Sequence, residues 1–484
     1  MPIRIYDSQR RSVVALEPGE PGRIGMYACG PTVYNLIHIG NARTLLWFDF
    51  VRRYLVYRGY EVTYVMNYTD VDDKIIERAR IEKIPPDAVT KKYERAFEDD
   101  MAALGVRPAD IVPRATQHVE DMVDAVQGLI DAGAAYEVEG DVWFAVDKFD
   151  GYGKLSGRSL DELHGGERIE PNPNKRHPMD FALWKAAKED EPSWSSPWGP
   201  GRPGWHIECS VMSTKSLGMP FDIHAGGSDL IFPHHENEIA QAEALTGTEP
   251  FARYWMHAGM VQMGETKMSK SLGNTVLAHD AIAEVGGMPL RYWALGASYR
   301  SQSSLTEEVL LDARASLERW QTFFIAARHL LGDDFPGPAP LRPRPDGDEG
   351  FDGPAADYLR RFVAAMDDDF NSAAAFAVVH ELVSEGNRLI DAEDKEELGV
   401  LAAAFAELME VLGFSFADVT GSSELTGQVI DFLLELREQA RAERAFERAD
   451  LIRTRLGELG VVIEDTPAGP RWRHSMSQAG ASDS

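Results

Sequence analysis

Residue types that bind transition metals occur in this chain in a pattern that could form one site. Cys209 is one of only two cysteines, and the other, Cys29, lies far upstream. In the segment PHHENEIAQAEAL, His234 and Glu238 are four residues apart, so they share a face if the segment is a helix. Thiolate, imidazole and carboxylate are all zinc ligands, and these four residues could hold one ion. The alternative is a pair of buried structural cysteines beside a polar helix.

A second candidate site is the tetrapeptide HIGN, from His38 to Asn41, which follows a predicted strand and opens a predicted helix. A helix N-terminus presents free N–H groups and positive potential, which suit a phosphate. A histidine held there can donate to a phosphoryl oxygen as charge develops in a transition state. The motif is short, and an ordinary turn is the alternative interpretation.

The third candidate is KMSKS, from Lys267 to Ser271, which lies between Gly264 and Gly273. Two lysines on a glycine-bordered loop can close on a polyphosphate and stabilise it as it leaves. The alternative is a solvated basic loop. The HIG tripeptide and KMSKS together, in this order, are far more specific than either motif alone.

The elements around these motifs predict an α/β fold with a parallel sheet. A buried strand is expected at 23–28, a helix in NARTLLWFDFVRRYLVYRG and a second strand in YEVTYVMNYTD. Strand, glycine turn, helix and strand form the βαβ unit of a Rossmann-like sheet. Residues from about 86 to 135 are expected to be mostly helical. Two strands and a loop-rich run to about Arg202 then indicate an inserted domain, after which GWHIECSVM and FDIHAGG are predicted to resume the sheet.

The composition changes from about Thr306 onward to alanine- and leucine-rich helices. A linker, PGPAPLRPRPDGDEGFDGP, interrupts them and is expected to be extended or flexible. Helices then continue to about Leu412, and a last helical segment carries arginines interleaved with glutamates. A charge-laced helix of this kind is usually only solvated. We expect the tail SMSQAGASDS to be disordered.

Length, charge and cysteine content exclude several classes of protein. A chain of 484 residues predicts about three to four domains. A net charge of −29 argues against broad, nonspecific nucleic-acid binding, although it allows a specific RNA partner met by local basic patches. Two cysteines are no disulfide framework and fit a reducing cytosol. We find no signal peptide and no membrane span, so we expect a cytoplasmic protein without a membrane partner.

The HIG and KMSKS motifs resemble those of the class I aminoacyl-tRNA synthetases. Several segments are similar to the cysteinyl-tRNA synthetase family in particular, namely CGPTVYNLIHIGNART, NYTDVDDKIIERA, GRPGWHIECSVM, FDIHAGGSDLIFPHHENEIAQ and MSKSLGN. The similarity extends to the C-terminal ADLIRTRLGELGVVIEDTPAGPRWR, so it covers nearly the whole chain. MDDDFNSAAA resembles the DALR-type helical domain of that family. One departure is Asn41, which stands where the class signature has its second histidine.

The resemblance implies a Rossmann-like catalytic domain with an inserted connective domain, followed by helical C-terminal domains. The catalytic domain would comprise 1–118 and 203–255, with the connective-peptide insertion at 119–202. The KMSKS-bearing stem-contact region would follow at 256–315, the DALR-type helical bundle at 316–415 and a small anticodon-binding domain at 416–474. The disordered tail would be 475–484.

The resemblance also implies roles for individual residues. The ligands of one zinc ion per chain would be Cys29, Cys209, His234 and Glu238. The catalytic residues would be His38, Asn41, Lys267 and Lys270. ATP, with Mg²⁺, would be bound by His38, Gly40, Asn41, Lys267, Ser269 and Lys270. The cysteine pocket would be lined by Gly30, Thr69, Trp205, His224 and Asp229, although Trp205 could equally be a core residue and His224 a structural histidine. The tRNA contacts would be Arg453, Arg471, Trp472 and Arg473.

The implied activity is ATP-dependent activation of L-cysteine to cysteinyl-adenylate, with release of pyrophosphate, and transfer to the 3′ end of tRNA(Cys). Zinc would recognise the cysteine thiolate, so no editing domain would be needed, and we expect a monomer. One alternative is a ligase of the same core that passes activated cysteine to a small amine, as in the mycothiol pathway. The helical C-terminal region argues against it, because a small acceptor needs no anticodon domain. Another alternative, a non-catalytic sensor of RNA or cysteine, conflicts with the intact motifs.

Overall fold

The structure is a computed structural model that describes residues 2–158, 172–189, 191–263, 266–267, 276–336, 343–344, 353–416, 424–459, 461–466 and 469–474. The helices in these ranges are α1 Ile39–Tyr57, α2 Asp73–Glu82, α3 Pro86–Ala103, α4 Val119–Asp131, α5 Trp205–Leu217, α6 Glu236–Thr246, α7 Ala278–Val285, α8 Gly287–Leu295, α9 Glu307–Leu331, α10 Ala356–Asp367, α11 Ser372–Asp391, α12 Lys395–Leu412, α13 Glu424–Ala442 and α14 Phe446–Glu458. Within the described ranges, none of them combines the length and apolar content that a membrane crossing requires.

In the part of the chain that the structure describes, the strands form five small sheets. Their bounds are β1 Arg4–Asp7, β2 Ser12–Ala15, β3 Arg23–Ala28, β4 Glu61–Met66, β5 Ala135–Val138, β6 Asp141–Phe144, β7 Phe181–Ala186, β8 Gly201–Pro203, β9 Phe221–Gly227, β10 Ala252–Ala258, β11 Val261–Met263, β12 Thr266–Lys267, β13 Ser303–Ser304, β14 Val461–Thr466 and β15 Gly469–His474.

A four-stranded parallel sheet in the order β10-β9-β3-β4 forms the centre of the N-terminal α/β part of the chain. Helix α1 connects β3 to β4, so the predicted βαβ unit is confirmed. Helix α1 is buried on nearly all sides, including Trp47, Phe48 and Phe50, as expected for a helix inside a large domain. Its N-cap is His38, so the HIGN motif lies at the start of the helix that follows strand β3.

The insertion predicted between the two halves of the sheet contains a sheet of its own. Strands β5, β6, β7 and β8 pair in that order and are antiparallel throughout. All four precede β9 and follow β4 in the chain, so they interrupt the parallel sheet. The two strands predicted in AYEVEG and DVWFAVDKF are β5 and β6.

One predicted element has the wrong type, because GWHIECSVM forms helix α5 and not a strand. Every residue from Ile207 to Ser213 is buried, including the polar Glu208, Ser210 and Ser213, so polar residues do not mark a solvent-facing side of the helix. A short buried run cannot be assigned to helix or strand from periodicity alone. The helix ends at Gly218, whose φ of 76° suits glycine. FDIHAGG, by contrast, is the predicted strand and forms β9.

The C-terminal part of the chain is helical, as predicted. Helices α9 to α12 pack into a bundle, and α13 and α14 pair with each other and with the antiparallel β14–β15 hairpin. The predicted linker lies almost entirely outside the described residues, as does the predicted disordered tail at 475–484.

A buried network of charges joins helix α1 to the helical bundle. Arg291, on α8, is fully buried and donates to Asp49 Oδ2 at 2.9 Å and to the carbonyl of Leu412 at 2.7 Å. Arg53 donates to the same Asp49 oxygen at 2.9 Å. Burial alone would raise the pKa of Asp49, but the charges of Arg291 and Arg53 outweigh it and hold that pKa below its usual value. The carboxylate thus compensates two buried guanidinium groups.

We expect Asp49→Ala to lower the free energy of unfolding by about 3–5 kcal/mol, because it leaves buried guanidinium charge uncompensated. Asp87, which pairs with Lys91 on an exposed helix face, provides the matched control, and Asp87→Ala should cost less than about 1 kcal/mol. Because the folded-state pKa of Asp49 is depressed, its stabilisation is complete at neutral pH. It is lost as the pH falls below the usual aspartate value of 3.8. Urea unfolding of both variants measures this, and equal losses would contradict it.

Candidate metal and nucleotide sites

The four predicted metal ligands come from three parts of the fold. Cys29 directly follows β3, and its N–H donates to the carbonyl of Ala225 on β9 at 3.2 Å. Cys209 is on helix α5. His234 lies in the turn Ile231–His235, and Glu238 is in the first turn of α6. Cys29 therefore lies at the carboxyl end of the parallel strands, where α/β folds place their ligand sites.

The structure brings these four side chains together. Their donor atoms all lie within 4.8 Å of one another. The sulfurs of Cys29 and Cys209 are 3.7 Å apart, and Glu238 Oε1 is 3.5 Å from Cys29 Sγ and 3.0 Å from His234 Nε2. Two thiolates on one tetrahedral zinc, at about 2.3 Å each, would be separated by about 3.8 Å. The cluster could therefore hold a metal ion, and its sulfur spacing fits zinc.

The electrostatics of the cluster also fit a cation. Burial would raise the pKa of Glu238, but His224 and His234 outweigh that effect and hold it well below its usual value. Burial would lower the pKa of His234, yet chiefly the Glu238 carboxylate raises it to about 10. A hydrogen bond from Cys29 lowers the pKa of Cys209 to about 6. Burial, and then the neighbouring Cys209, raise the pKa of the Cys29 thiol well above its usual value. Glu238 and Cys209 are therefore the donors whose anionic form is favoured, and a bound cation would take over the compensation that protons provide here.

Three histidines that sequence reasoning missed support this cluster. The rings of His206 and His234 approach through their Nδ1 atoms at 2.9 Å. His235 Nε2 is 3.4 Å from Cys29 Sγ, and His235 Nδ1 is 2.8 Å from His257 Nε2. His206 is three residues before Cys209, and this spacing puts both side chains on one face if the segment is a helix. Because the segment was expected to be a strand, His206 was not recognised as a neighbour of Cys209.

Two residues of the predicted cysteine pocket contact the cluster. Trp205 stacks on His234 with ring centroids 4.3 Å apart and remains 39% exposed, so it is not a core residue. His224 is fully buried, stacks on Trp255 at 4.4 Å, and its Nε2 lies 2.7 Å from Glu238 Oε2. Both residues therefore adjoin the candidate metal position.

The other predicted pocket residues are Gly30, Thr69 and Asp229, which differ in burial and contacts. The N–H of Gly30 donates to Asn67 Oδ1 at 2.9 Å, and a Cβ at Gly30 would lie 1.7 Å from the Asn67 carbonyl oxygen, so this position requires glycine. Thr69 is buried and donates to Glu208 Oε2 at 2.8 Å. Burial raises the pKa of Glu208, which the sequence analysis did not single out, well above its usual value. Asp229 is exposed, in the turn after β9.

The HIGN motif forms the N-terminus of α1. His38 Nδ1 accepts the Asn41 N–H at 3.2 Å, which leaves the ring proton of a neutral imidazole on Nε2. Gly40 lies in the first turn and is half-buried, and the side chain of Asn41 is exposed. The N–H of Ile39 also donates to the carbonyl of Val276 at 3.0 Å. The HIGN motif is thus hydrogen-bonded to Val276, which lies shortly after KMSKS in the chain.

KMSKS itself is described only in part. The backbone of Lys267 belongs to β12, which pairs with β11. The side chain of Lys267, and all of Ser269 and Lys270, lie outside the described residues.

Comparisons with known proteins identify the family. The sequence profile described as "tRNA synthetases class I (C) catalytic domain" matches residues 15–315. A cysteine–tRNA ligase of Geobacillus thermodenitrificans is 48% identical over 475 residues, covering 97% of this chain and 99% of the relative. A cysteine–tRNA ligase of Desulfitobacterium hafniense is 47% identical over 478 residues, covering 98% of this chain and 99% of the relative.

The chain belongs to the cysteine–tRNA ligase family. It is therefore a class I aminoacyl-tRNA synthetase, a ligase, as the motifs predicted. Further profiles, a DALR domain and a cysteinyl-tRNA ligase anticodon binding domain, match residues 361–417 and 426–473. Family membership and these domains imply tRNA, ATP and cysteine as partners, and they do not favour the small-amine alternative. Methionyl-tRNA synthetase of Mycobacterium tuberculosis shares the fold, at a TM-score of 0.60 and 15% identity over 85% of this chain and 94% of that one.

The predicted tRNA residues lie in the part that matches the anticodon-binding profile. Arg453 is exposed on α14. Arg471 and Trp472 are on β15, and the indole N–H of Trp472 donates to Asp431 Oδ1 at 2.8 Å. The Trp472 ring is half-buried against the small core of this domain, so it is tied into the fold. The side chain of Arg473 is outside the described residues.

We expect His206→Phe to weaken metal binding by about 10- to 100-fold, because it removes the partner that orients the His234 ring through Nδ1. His329, exposed on α9, provides a control in which the same substitution should change nothing. Competition with a chromophoric chelator measures both affinities. An unchanged affinity in His206→Phe would show that this histidine does not support the site.

Proposed function

We propose that this protein is a cysteine–tRNA ligase that selects L-cysteine through one zinc ion held by Cys29, Cys209, His234 and Glu238. The observation that carries the proposal is the convergence of two sulfurs, an imidazole and a carboxylate within 4.8 Å. Bound zinc would take the substrate thiol as a thiolate and lower its pKa. Trp205, which is stacked on His234 and partly exposed, would cover the substrate side chain.

The proposed selection explains why an editing domain would be unnecessary. Serine differs from cysteine only in having oxygen in place of sulfur, so a pocket that recognises shape alone would bind the two amino acids with similar affinity. A site with two thiolate ligands prefers a soft sulfur donor to a protonated hydroxyl. We therefore propose discrimination at the first binding step, with Gly30, Thr69, His224 and Asp229 arranging the rest of the amino acid.

The proposed reaction has two steps and needs no protein nucleophile. The cysteine carboxylate attacks the α-phosphate of ATP, which yields cysteinyl-adenylate and pyrophosphate. A ribose hydroxyl at the 3′ end of tRNA(Cys) then attacks the activated carbonyl and gives up its proton, the bond from that carbonyl to the phosphate breaks, and AMP leaves. His38 carries its proton on Nε2 and would donate to a phosphate at the α1 N-terminus, with Gly40 and Asn41 beside it. Lys267, Ser269 and Lys270 would hold the pyrophosphate together with Mg²⁺.

We further propose that the chain acts as a monomer with the seven-part domain order given above. The free thiols of Cys29 and Cys209, with sulfurs 3.7 Å apart, fit the reducing cytosol, where they stay available to a metal. We propose that tRNA is contacted by Arg453, Arg471 and Arg473 and by the partly exposed indole ring of Trp472.

The decisive experiment is ATP–pyrophosphate exchange over a panel of amino acids, followed by acyl transfer to tRNA. We expect activation of cysteine and charging of tRNA(Cys). Truncation after about residue 415 should spare activation and impair charging, because it removes the proposed anticodon-binding domain. A truncated protein that still charges tRNA equally well would mean that this domain does not read the anticodon. Transfer to a small amine in place of tRNA would overturn the proposed acceptor.

We expect cysteine preference over serine to depend on the metal. Cys209→Ser should lose zinc and cysteine activation while ATP binding stays largely intact. Thr214→Ala, one turn further along α5, is the matched control and should retain both. Cysteine and serine activation are compared in zinc-loaded and chelated protein. An equal preference for cysteine after chelation would show that the metal is only structural.

We expect Lys270→Ala to slow adenylate formation by about two to three orders of magnitude with little change in cysteine binding. A contact made to charge that develops in the transition state acts on the chemical step. Pre-steady-state adenylate formation and cysteine binding are measured separately. Lys188→Ala, a lysine of the inserted region, is a control, and a Lys270→Ala protein with normal exchange would refute the assigned role.

A further inference from the structure

A second set of possible metal donors overlaps the first set, which consists of the four proposed zinc ligands Cys29, Cys209, His234 and Glu238. Cys29 and Glu238 belong to both sets, and His224 and His235 complete the second. The donor atoms of this second set also lie within 4.8 Å of one another. His224, His235 and Glu238 are fully buried. Two imidazoles thus take the places that Cys209 and His234 have in the first set.

Each oxygen of the Glu238 carboxylate lies closest to a histidine of a different set. Oε1 lies 3.0 Å from His234 Nε2, whereas Oε2 lies 2.7 Å from His224 Nε2. Each oxygen therefore faces a different imidazole, which is the arrangement of a carboxylate that bridges two ions. In two-metal sites the ions are about 3.5–4 Å apart.

Cys29 is placed as a second bridge. Its sulfur is 3.7 Å from Cys209 Sγ on the side of the first set and 3.4 Å from His235 Nε2 on the side of the second. One thiolate is thus in contact range of donors from both sets.

His235 is oriented toward this position by contacts that the first set does not use. His235 Nδ1 is 2.8 Å from His257 Nε2, and His257 Nδ1 is 2.7 Å from the hydroxyl of Ser8. His235 Nε2 is left facing Cys29 Sγ and Glu238 Oε1, the latter at 3.9 Å. A metal-binding imidazole is commonly fixed in this way through its other nitrogen.

We propose that the cluster has two metal positions and that a second borderline-soft divalent cation binds Cys29, Glu238, His224 and His235. The inference rests on the proposed zinc position, whose Cys29 and Glu238 it shares. The second position binds more weakly, because the first ion already neutralises the shared anionic ligands. His224 also belongs to the proposed cysteine pocket, so metal above one equivalent competes with cysteine.

The test is equilibrium dialysis of the full chain against Co²⁺, without oxygen and with a thiol-free reductant. We expect one tight and one weaker equivalent. His234→Gln and His235→Gln form a matched pair of neighbouring buried histidines. His235→Gln should keep the tight equivalent and lose the weaker one, whereas His234→Gln should weaken the tight one by about 10- to 100-fold.

The outcomes separate the second position from the first. Saturation of the unmodified protein at one equivalent overturns the second position and leaves the zinc proposal intact, whereas no binding at all refutes both. Two equivalents retained by His235→Gln also overturn the proposal, because the second ion is then bound elsewhere.

A kinetic measurement on the unmodified protein tests the same inference without a substitution. Metal added beyond one equivalent should raise the apparent KM for cysteine and leave the KM for ATP unchanged. An unchanged KM for cysteine at a metal concentration that fills the second equivalent contradicts the proposal.

Discussion

The catalytic domain depends on burying one carboxylate, that of Glu238, among sulfur and nitrogen donors. Removing an ionised carboxylate from water costs several kcal/mol even after relaxation, so it persists only where partners surround it. His224 on β9 and His234 in the turn before α6 contact its two oxygens. Cys29 after β3 approaches the same group. Separate elements of the fold therefore have to meet at this point, and they do so at the carboxyl ends of the central strands.

Helix α1 carries the second constraint, because its two ends serve different parts of the molecule. Its N-terminus presents His38 and Asn41 at the predicted nucleotide site. Further along, the Trp47 indole N–H donates to the carbonyl of Ala294 at 2.8 Å, and the Tyr54 hydroxyl donates to Asp367 Oδ1 at 2.6 Å. The helix thus fixes the position of the nucleotide motif relative to the helical bundle through directional hydrogen bonds in a dry environment, where such bonds are strong.

The charge distribution of the terminal domain explains how a chain of net charge −29 fits an RNA partner. Several arginines there pair with acids of the same domain, as Arg437 does with Asp465 at 2.8 Å and Arg455 with Glu458 at 2.7 Å. Pairs of this kind contribute little net positive potential. Contact with a polyanion would then rest on a few exposed cations, and the long-range repulsion of the rest of the chain would favour specific over nonspecific association.

The sequence by itself named the candidate site residues and determined the class of the fold. Two cysteines in 484 residues, a His and a Glu four residues apart, and the motifs HIGN and KMSKS were enough to name the metal and nucleotide candidates. The βαβ unit, the inserted strands and the helical C-terminal part also followed from periodicity, because elements with a buried and an exposed face leave that pattern in the sequence.

Only the tertiary structure decided what surrounds those residues. Helix α5 was expected to be a strand. Its polar residues Glu208, Ser210 and Ser213 are buried together with its apolar ones, so the sequence lacks the period of a half-exposed helix. His206, His235 and His257 were overlooked for a related reason. Their roles arise from contacts such as the 2.8 Å approach of His235 to His257, which joins a turn to a neighbouring strand. Spacing along the chain reports neighbours on one element, whereas contacts between elements are set by how those elements pack.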